Sequence, residues 1–205
     1  MNKSHKDIYN IIANCFIMKI AIDIDGVLLD IIVTYCEIFN KRYGTNHQKK
    51  DVTKWDFFKD WNMDEDTGFK IFYEIYADSM NIPFIDENAP EIMRKLNETY
   101  DVDIVSARIP EYRSSIKKKL DFHDIKENIQ YSELVLLHHR PYDIKLKESY
   151  DLYVDDNPNL VEPIKKLKNR TLLLFNQPWN QDIICENNIY RVHNWKEVHR
   201  KIKEL

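Results

Sequence analysis

Glycine is scarce in this 205-residue chain, which contains only three of them, against an average usage of about 7% in proteins. Such a chain has few places where the backbone can turn sharply or let another group approach closely. Gly26 directly follows two acidic residues and an isoleucine between them. We therefore expect Gly26 to mark a sharp turn or a close approach.

Cysteine is equally rare. Cys15, Cys36 and Cys185 are odd in number, widely separated and without the spacing of a metal-binding motif. This pattern argues against a cysteine-based metal site. We predict reduced thiols in a cytoplasmic protein.

Long apolar runs and a basic excess are also missing. No stretch reaches the roughly 18 apolar residues of a membrane span, and residues 1–17 lack the apolar segment and cleavage site of a signal peptide. We predict an amphipathic helical extension over 1–17. The net charge of -4 argues against binding to a nucleic-acid polymer. Hydrophobic residues make up 43% of the chain, enough for one core domain that carries an insertion.

The most informative segment that is present is Ile20-Ala21-Ile22-Asp23-Ile24-Asp25-Gly26. Its continuous apolar, β-branched residues predict a buried parallel strand over 20–24. Because side chains alternate along a strand, Asp23 and Asp25 should project the same way at the carboxyl edge of the sheet, where open α/β folds bind ligands. Two carboxylates placed in this way repel each other unless a cation lies between them.

Two other interpretations of Asp23 and Asp25 compete with a ligand site. They could cap a turn or the following helix, as aspartate before glycine often does. A calcium-binding EF-hand loop fits poorly, because Gly26 comes too early and the twelfth position counted from Asp23 is Thr34 instead of glutamate.

The rest of the chain alternates between helical and strand patterns, which predicts an α/β fold with a parallel, doubly wound sheet. Helical spacing runs from 28 to 43, and Gly44 can end that helix. Further helices are predicted over 91–99, 111–120, 158–167 and 195–202, strands over 102–105, 152–154 and 172–175, and short extended pieces over 129–131 and 134–137.

Residues 45–87 interrupt this alternation. They are rich in aromatic and acidic residues and show no β pattern, so we predict a small helical cap inserted into a core formed by 18–44 and 88–205. The aromatic residues with helical spacing are expected to belong mainly to the core of the cap: Phe69, Phe72, Tyr73 and Tyr76. Trp55 and Phe57 are less periodic and are candidates for contact with a substrate.

Polar residues, with one alanine among them, occur at the ends of two further predicted strands and shortly before one of them: Ser106, Ala107, Arg108, Lys145, Asp155 and Asp156. The serine brings a hydroxyl and backbone N–H groups to a junction of strand and helix, which suits a phosphate. Taken singly, the serine could cap a helix, the two acids could be turn residues and the lysine could be solvated. Their joint occurrence at strand ends favours a functional site.

This set of residue types matches the needs of phosphoryl transfer. A carboxylate can attack phosphorus, Mg²⁺ can bridge that carboxylate and the phosphate, and a second acid can protonate the departing oxygen. Lysine and serine can bind the remaining phosphate oxygens. The sequence offers one candidate for every role.

The order of these residues resembles the four motifs of the haloacid dehalogenase superfamily of phosphohydrolases: Asp23-Ile24-Asp25-Gly26-Val27, Ser106, Lys145 and Asp155-Asp156. A response-regulator receiver carries similar residues, but there the acidic pair comes first and the phosphorylated aspartate later. From about residue 18 onward the chain also resembles the 5'(3')-deoxyribonucleotidase family, through the helical insertion and two late motifs: Val154-Asp155-Asp156-Asn157-Pro158 and Phe175-Asn176-Gln177-Pro178-Trp179-Asn180.

The resemblance implies a mechanism through an aspartyl phosphate. Asp23 would be the nucleophile, and Asp25 would protonate the leaving group and then activate water. Mg²⁺ would be bound by the Asp23 carboxylate, the backbone carbonyl of Asp25 and Asp156, with Asp155 as the second choice for the last ligand.

The resemblance also implies where the substrate binds. Lys145 would hold the phosphate and orient Asp23, and Ser106 would bind the phosphate together with the neighbouring Ala107 and Arg108. Apart from the resemblance, the aromatic residues Trp55 and Phe57 are candidates for stacking on the substrate. The implied substrate is a small phosphomonoester, a nucleoside or deoxynucleoside monophosphate. Two alternative functions stay open: a phosphatase for a sugar phosphate or other small metabolite, and a non-catalytic phosphate- or metal-binding regulatory module. An oligomer is compatible with all three.

Overall fold

The structure, a computed structural model, describes residues 17–205. Residues 1–16 of the predicted extension, Cys15 among them, lie outside the described residues. At the centre is a six-stranded parallel sheet with the strand order β3-β2-β1-β4-β5-β6. The strands are β1 (Lys19–Ile22), β2 (Asp101–Ser106), β3 (Leu134–Leu136), β4 (Leu152–Asp155), β5 (Thr171–Phe175) and β6 (Ile189–Val192). The predicted parallel α/β fold is confirmed.

Both faces of the sheet are covered by apolar side chains. Successive residues of a strand point to opposite faces, so Ile22 and Ile104 belong to one buried cluster, while Ala21 and Val105 belong to another. This double coverage explains why the central strands read as unbroken apolar runs. The prediction of a doubly wound sheet is therefore confirmed.

The described part of the chain contains six α-helices, which follow the strands or lie in the insertion: α1 (Ile31–Tyr43), α2 (Glu65–Ala77), α3 (Ala89–Asn97), α4 (Arg113–Phe122), α5 (Val161–Lys165) and α6 (Trp195–Glu204). The first helix begins three residues later than its spacing predicted. The backbone N–H groups of Val27, Leu28 and Leu29 all donate to the carbonyl of Ile24. A tight turn therefore occupies the first apolar positions of the pattern.

Two predicted details of the secondary structure are wrong. Residues 129–131 form a turn instead of an extended piece, with the N–H of Ile129 donating to the Lys126 carbonyl. Strand β6 was missed, because two of its four residues, Tyr190 and Arg191, are only partly buried. An edge strand with a charged residue lacks the apolar run by which the central strands were found.

Residues 45–87 contain α2 and two short 3₁₀ helices, at 49–51 and 79–81. Asp64 begins α2 by accepting a hydrogen bond from the N–H of Thr67. All residues of this insertion are described, and none of them belongs to the sheet. The division into core and cap stays a prediction. Within 17–205, no helix is both long and apolar enough to cross a bilayer.

Gly44 ends α1 in the left-handed region, with φ of 67°. We expect Gly44→Ala to lower the free energy of unfolding by about 1 kcal/mol, since a Cβ disfavours this conformation. No atom lies within 4 Å of the position of the added Cβ, so only the backbone contributes. Urea unfolding measures the change, and Gly44→Asn, which tolerates the conformation better, should lose less. Equal losses in the two variants would contradict this explanation.

Candidate active site

The strand order brings the predicted site residues to one point. Asp23 directly follows β1, Ser106 ends β2 and Asp155 ends β4. Strand β1 lies between the other two, where the order of the sheet reverses. Open α/β sheets bind ligands at such a switch point, beyond the carboxyl ends of the strands.

Lys145 connects two of the acids. Its Nζ lies 2.8 Å from Asp23 Oδ1 and donates to Asp155 Oδ2 at 2.6 Å. The other oxygen of Asp155 accepts the backbone N–H of Asn157 at 3.0 Å. With 3% of its surface exposed, Lys145 is not a solvated lysine, and the simpler interpretation of this residue is wrong.

Only one of the two carboxylate oxygens of Asp156 has a hydrogen-bond partner among the described residues. Its Oδ2 accepts a hydrogen bond from the indole N–H of Trp179 at 3.0 Å, and its backbone carbonyl accepts one from Asn180 at 2.9 Å. Its Oδ1 is buried and has no hydrogen-bond partner among the described residues. An unsatisfied buried carboxylate oxygen requires a partner, such as a cation.

The acids fit a divalent cation. Oxygens of Asp23, Asp155 and Asp156 lie within 4.8 Å of one another, and carboxylate oxygens are the ligands that Mg²⁺ prefers. Both oxygens of Asp155 are already engaged. Asp23 and Asp156 therefore have carboxylate oxygens that could still bind a cation, and the choice of ligands stays a prediction.

Burial dominates the electrostatics of the site. It raises the pKa of Asp23 to about 7, with Lys145 acting against the rise and Asp155 and Asp25 adding to it. It also raises the pKa of Asp156, to which the charges of Asp23 and Asp155 contribute further. Burial would lower the pKa of Lys145, but Asp155 and Asp23 outweigh it and keep the ammonium charged. Negative charge is therefore in excess at this edge.

Gly26 forms the predicted close approach. Its φ is 81°, and an added Cβ would lie 2.0 Å from Asp156 Oδ2. Its carbonyl accepts a hydrogen bond from the Gln177 side chain at 2.6 Å. The glycine thus lets the turn after β1 lie against the second acidic motif.

Asp25 and the Ser-Ala-Arg motif form the other side of the site. Ser106 and Ala107 line the cavity above the acids, and helix α4 begins only at Arg113, so Ser106 does not cap a helix. The Arg108 side chain is fully buried and donates to both carboxylate oxygens of Asp25, at 2.8 and 2.6 Å. Its guanidinium therefore faces Asp25 and not the cavity.

A cavity opens above these groups, with an empty volume of about 890 Å³ that includes the solvent at its mouth. Its floor is polar and its walls are mainly aromatic. The aromatic wall residues from the insertion are Trp55, Phe57, Phe58, Phe69, Phe72 and Tyr76. Three of them, Phe69, Phe72 and Tyr76, were expected mainly to pack inside the cap; they pack against the core cluster and also border the cavity.

The far wall of the cavity comes from residues that the sequence did not single out. His139 and Tyr142 border it from the segment between β3 and Lys145. His139 stacks on Phe69 with ring centres 4.3 Å apart, and the Tyr142 hydroxyl donates to Asp56 Oδ1 at 2.9 Å. No local sequence pattern marks these residues; only the folded chain brings them to the cavity.

Comparison with known proteins gives a match along nearly the whole described chain. Residues 17–205 match the family model for "5' nucleotidase, deoxy (Pyrimidine), cytosolic type C protein". Two relatives named 5'(3')-deoxyribonucleotidase, from Bacillus subtilis (strain 168) and from Bacillus phage SPbeta, are each 28% identical over 184 residues. In both cases the match covers 89% of this chain and 97% of the relative.

Solved structures share the fold. The haloacid dehalogenase-like hydrolase SP0104 from Streptococcus pneumoniae aligns with a TM-score of 0.60 at 13% identity, covering 91% of this chain and 98% of that one. The L-2-haloacid dehalogenase from Xanthobacter autotrophicus aligns with a TM-score of 0.57 at 11% identity, covering 93% and 100%. The predicted haloacid dehalogenase-like core is confirmed.

The excess of buried negative charge predicts that one acid can be neutralised with a gain in stability. In EDTA at pH 7.5, we expect Asp156→Asn to raise the free energy of unfolding by about 1 kcal/mol, because it removes a buried carboxyl group whose charged form the folded state disfavours. Since the pKa of Asp156 is raised in the folded state, the gain should be largest above that pKa. It should vanish as the pH falls toward the ordinary value near 3.8.

Urea unfolding at several pH values measures this gain. Asp182→Asn, at an exposed position, makes the same change of charge and serves as the control. A loss of stability in Asp156→Asn at pH 7.5 would show that the carboxylate is favourable without a cation.

Proposed function

Because the chain belongs to the family of deoxy (pyrimidine) 5' nucleotidases of the cytosolic type C, we propose that it is a cytoplasmic, Mg²⁺-dependent phosphomonoesterase. Its proposed substrates are deoxynucleoside or nucleoside monophosphates, and its proposed intermediate is an aspartyl phosphate on Asp23. One observation carries the proposal: the buried Asp23 carboxylate lies beside Lys145 at the floor of an aromatic cavity.

The first half of the reaction transfers the phosphoryl group to the protein. A carboxylate oxygen of Asp23 forms a bond to phosphorus while the bond from phosphorus to the sugar oxygen breaks, and its electron pair leaves with that oxygen. Asp25 gives a proton to the departing oxygen. Lys145 and Ser106 hold the non-bridging phosphate oxygens.

The second half restores the enzyme. A water molecule attacks phosphorus, and Asp25, now ionised, takes the proton that this water loses. The bond between phosphorus and Asp23 breaks, which returns the carboxylate and releases inorganic phosphate. Asp25 thereby regains the proton that it gave in the first half.

The proposed ligands of Mg²⁺ are Asp23, Asp156 and the backbone carbonyl of Asp25. A bound Mg²⁺ would neutralise charge on the phosphate and on the attacking carboxylate. The buried Oδ1 of Asp156, which has no partner among the described residues, supports this assignment.

The walls of the cavity support a nucleotide over a sugar phosphate. A sugar phosphate presents hydroxyl groups that need hydrogen-bond partners, whereas the walls are mostly aromatic. Base–aromatic stacking contributes about 1–3 kcal/mol and tolerates different bases. Trp55 and Phe57, proposed from the sequence, both border the cavity.

A substrate panel tests the function. We expect nucleoside 5'- or 3'-monophosphates, deoxy or ribo, to exceed sugar phosphates in kcat/KM by roughly 10-fold or more, as stacking predicts. EDTA should abolish turnover, and Asp23→Asn should lower kcat by about 10⁴-fold or more while remaining folded by circular dichroism. Initial rates of phosphate release give these values.

Other outcomes of the panel distinguish the alternatives. Turnover of sugar phosphates without turnover of nucleotides would identify a phosphatase for another metabolite. Nucleotide or Mg²⁺ binding without turnover of any ester would identify a regulatory module. Full activity of Asp23→Asn would refute the assignment of Asp23 as the nucleophile.

Mg²⁺ binding can be measured without catalysis. By calorimetry, we expect Asp156→Asn to weaken Mg²⁺ binding about 100-fold or more, since it removes a charged ligand. Asp182→Asn should bind Mg²⁺ as the unchanged protein does. An unaltered affinity for Mg²⁺ in Asp156→Asn would favour Asp155 over Asp156 as the metal ligand.

A further inference from the structure

Arg108 has no role in the chemistry proposed above, yet its side chain makes two hydrogen bonds to the Asp25 carboxylate. Its side chain is 0% exposed. Nε donates to Asp25 Oδ2 at 2.8 Å, and Nη2 donates to Oδ1 at 2.6 Å. Such a two-pronged pair fixes the plane of a carboxylate as well as its position.

The remaining side of the guanidinium faces the 45–87 insertion. Nη1 donates to Ser79 Oγ at 2.8 Å, and the guanidinium carbon lies 4.5 Å from the centre of the Tyr76 ring. The N–H of Ser79 in turn donates to Ser115 Oγ, on α4, at 3.0 Å. Arg108 therefore connects Asp25 to the insertion and, through Ser79, to a helix of the core.

This environment does not suit a phosphate ligand, the role suggested for Arg108 by the sequence. Protein groups already engage Nε, Nη1 and Nη2. The side chain has no exposed surface and does not border the cavity. A phosphate in the cavity therefore meets Ser106 and Lys145 but not Arg108.

We propose that Arg108 is a positioning residue, which holds the Asp25 carboxylate at the leaving oxygen and ties its orientation to the seating of the 45–87 insertion. This inference rests on the proposed function. The two oxygens of a carboxylate offer about four lone pairs, and the guanidinium uses one on each. Asp25 also borders the cavity, so a remaining lone pair carries the proton that passes to the leaving oxygen.

The leaving group distinguishes positioning of the acid from other roles. A sugar alkoxide needs a proton in order to depart, whereas 4-nitrophenolate departs readily without one. The ratio kcat/KM reports steps up to the loss of the leaving group, so the later hydrolysis of the aspartyl phosphate does not affect it. A merely structural defect, or a lost phosphate contact, would affect both esters alike.

The experiment compares kcat/KM of Arg108→Lys and the unchanged protein on the best nucleoside monophosphate and on 4-nitrophenyl phosphate. Lysine keeps the charge but cannot form the two-pronged pair. We expect a loss of about 100-fold or more on the nucleotide, the range of general acid catalysis, and of less than about 10-fold on the aryl ester. Arg94→Lys, at the surface of α3, is the matched control.

Asp25→Asn supplies the reference pattern. It should show the same selective loss, and the double variant with Arg108→Lys should lose little more than Asp25→Asn alone, because the two residues act as one unit. Additive losses would mean that Arg108 acts independently of Asp25 and would overturn the proposal.

Ser79→Ala is a second test, which applies even if Arg108→Lys does not fold. It leaves the hydrogen bonds between Arg108 and Asp25 intact and removes only the one between Arg108 and Ser79. We expect a loss of roughly 2- to 10-fold, the range of one hydrogen bond, again confined to the nucleotide. Equal losses on both esters, or no loss on either, would overturn the proposal. A wild-type protein without Asp23-dependent activity on either ester would instead refute the proposed function.

Discussion

The balance of buried charge at the carboxyl edge of β1 and β4 is the constraint on which the site depends. Four carboxylates meet there, and two basic side chains contact them: Asp23, Asp25, Asp155 and Asp156 on one side, and Lys145 and Arg108 on the other. The acids outnumber the bases by two, so full ionisation would leave two formal negative charges, which the proposed Mg²⁺ would offset. Burial and the neighbouring acids disfavour this ionisation, and they raise the pKa values of Asp23 and Asp156.

The order of the strands brings together acids that lie far apart in the sequence. Asp23 and Asp155 are separated by more than a hundred residues, yet β1 and β4 pair directly and deliver both acids to one edge. The same pairing lets Gly26 lie against Asp156. The late Gln-Pro-Trp-Asn segment then completes the arrangement, since it binds the Gly26 carbonyl and the Asp156 carboxylate together.

Sequence patterns predicted the parts of the site that local chemistry defines. The apolar strands, the acids at their ends and the helix stop at Gly44 each follow from a rule about a few neighbouring residues. The direction of the Arg108 side chain does not, because its partner Asp25 lies 83 positions away and an arginine after a serine looks equally suited to a phosphate. For the same reason, the contributions of Trp179 and His139 became visible only in three dimensions.

The contacts between the insertion and the segment before Lys145 also have a consequence for the dependence on salt. An ion pair between Arg140 and Glu65 joins the two, and both side chains are nearly half exposed. Salt screens exposed pairs of this kind far more than buried ones, whereas the Lys145 ion pairs at the floor are shielded from it. Ionic strength therefore weakens this link between the insertion and the segment before Lys145, while the buried ion pairs of Lys145 with Asp23 and Asp155 keep their strength.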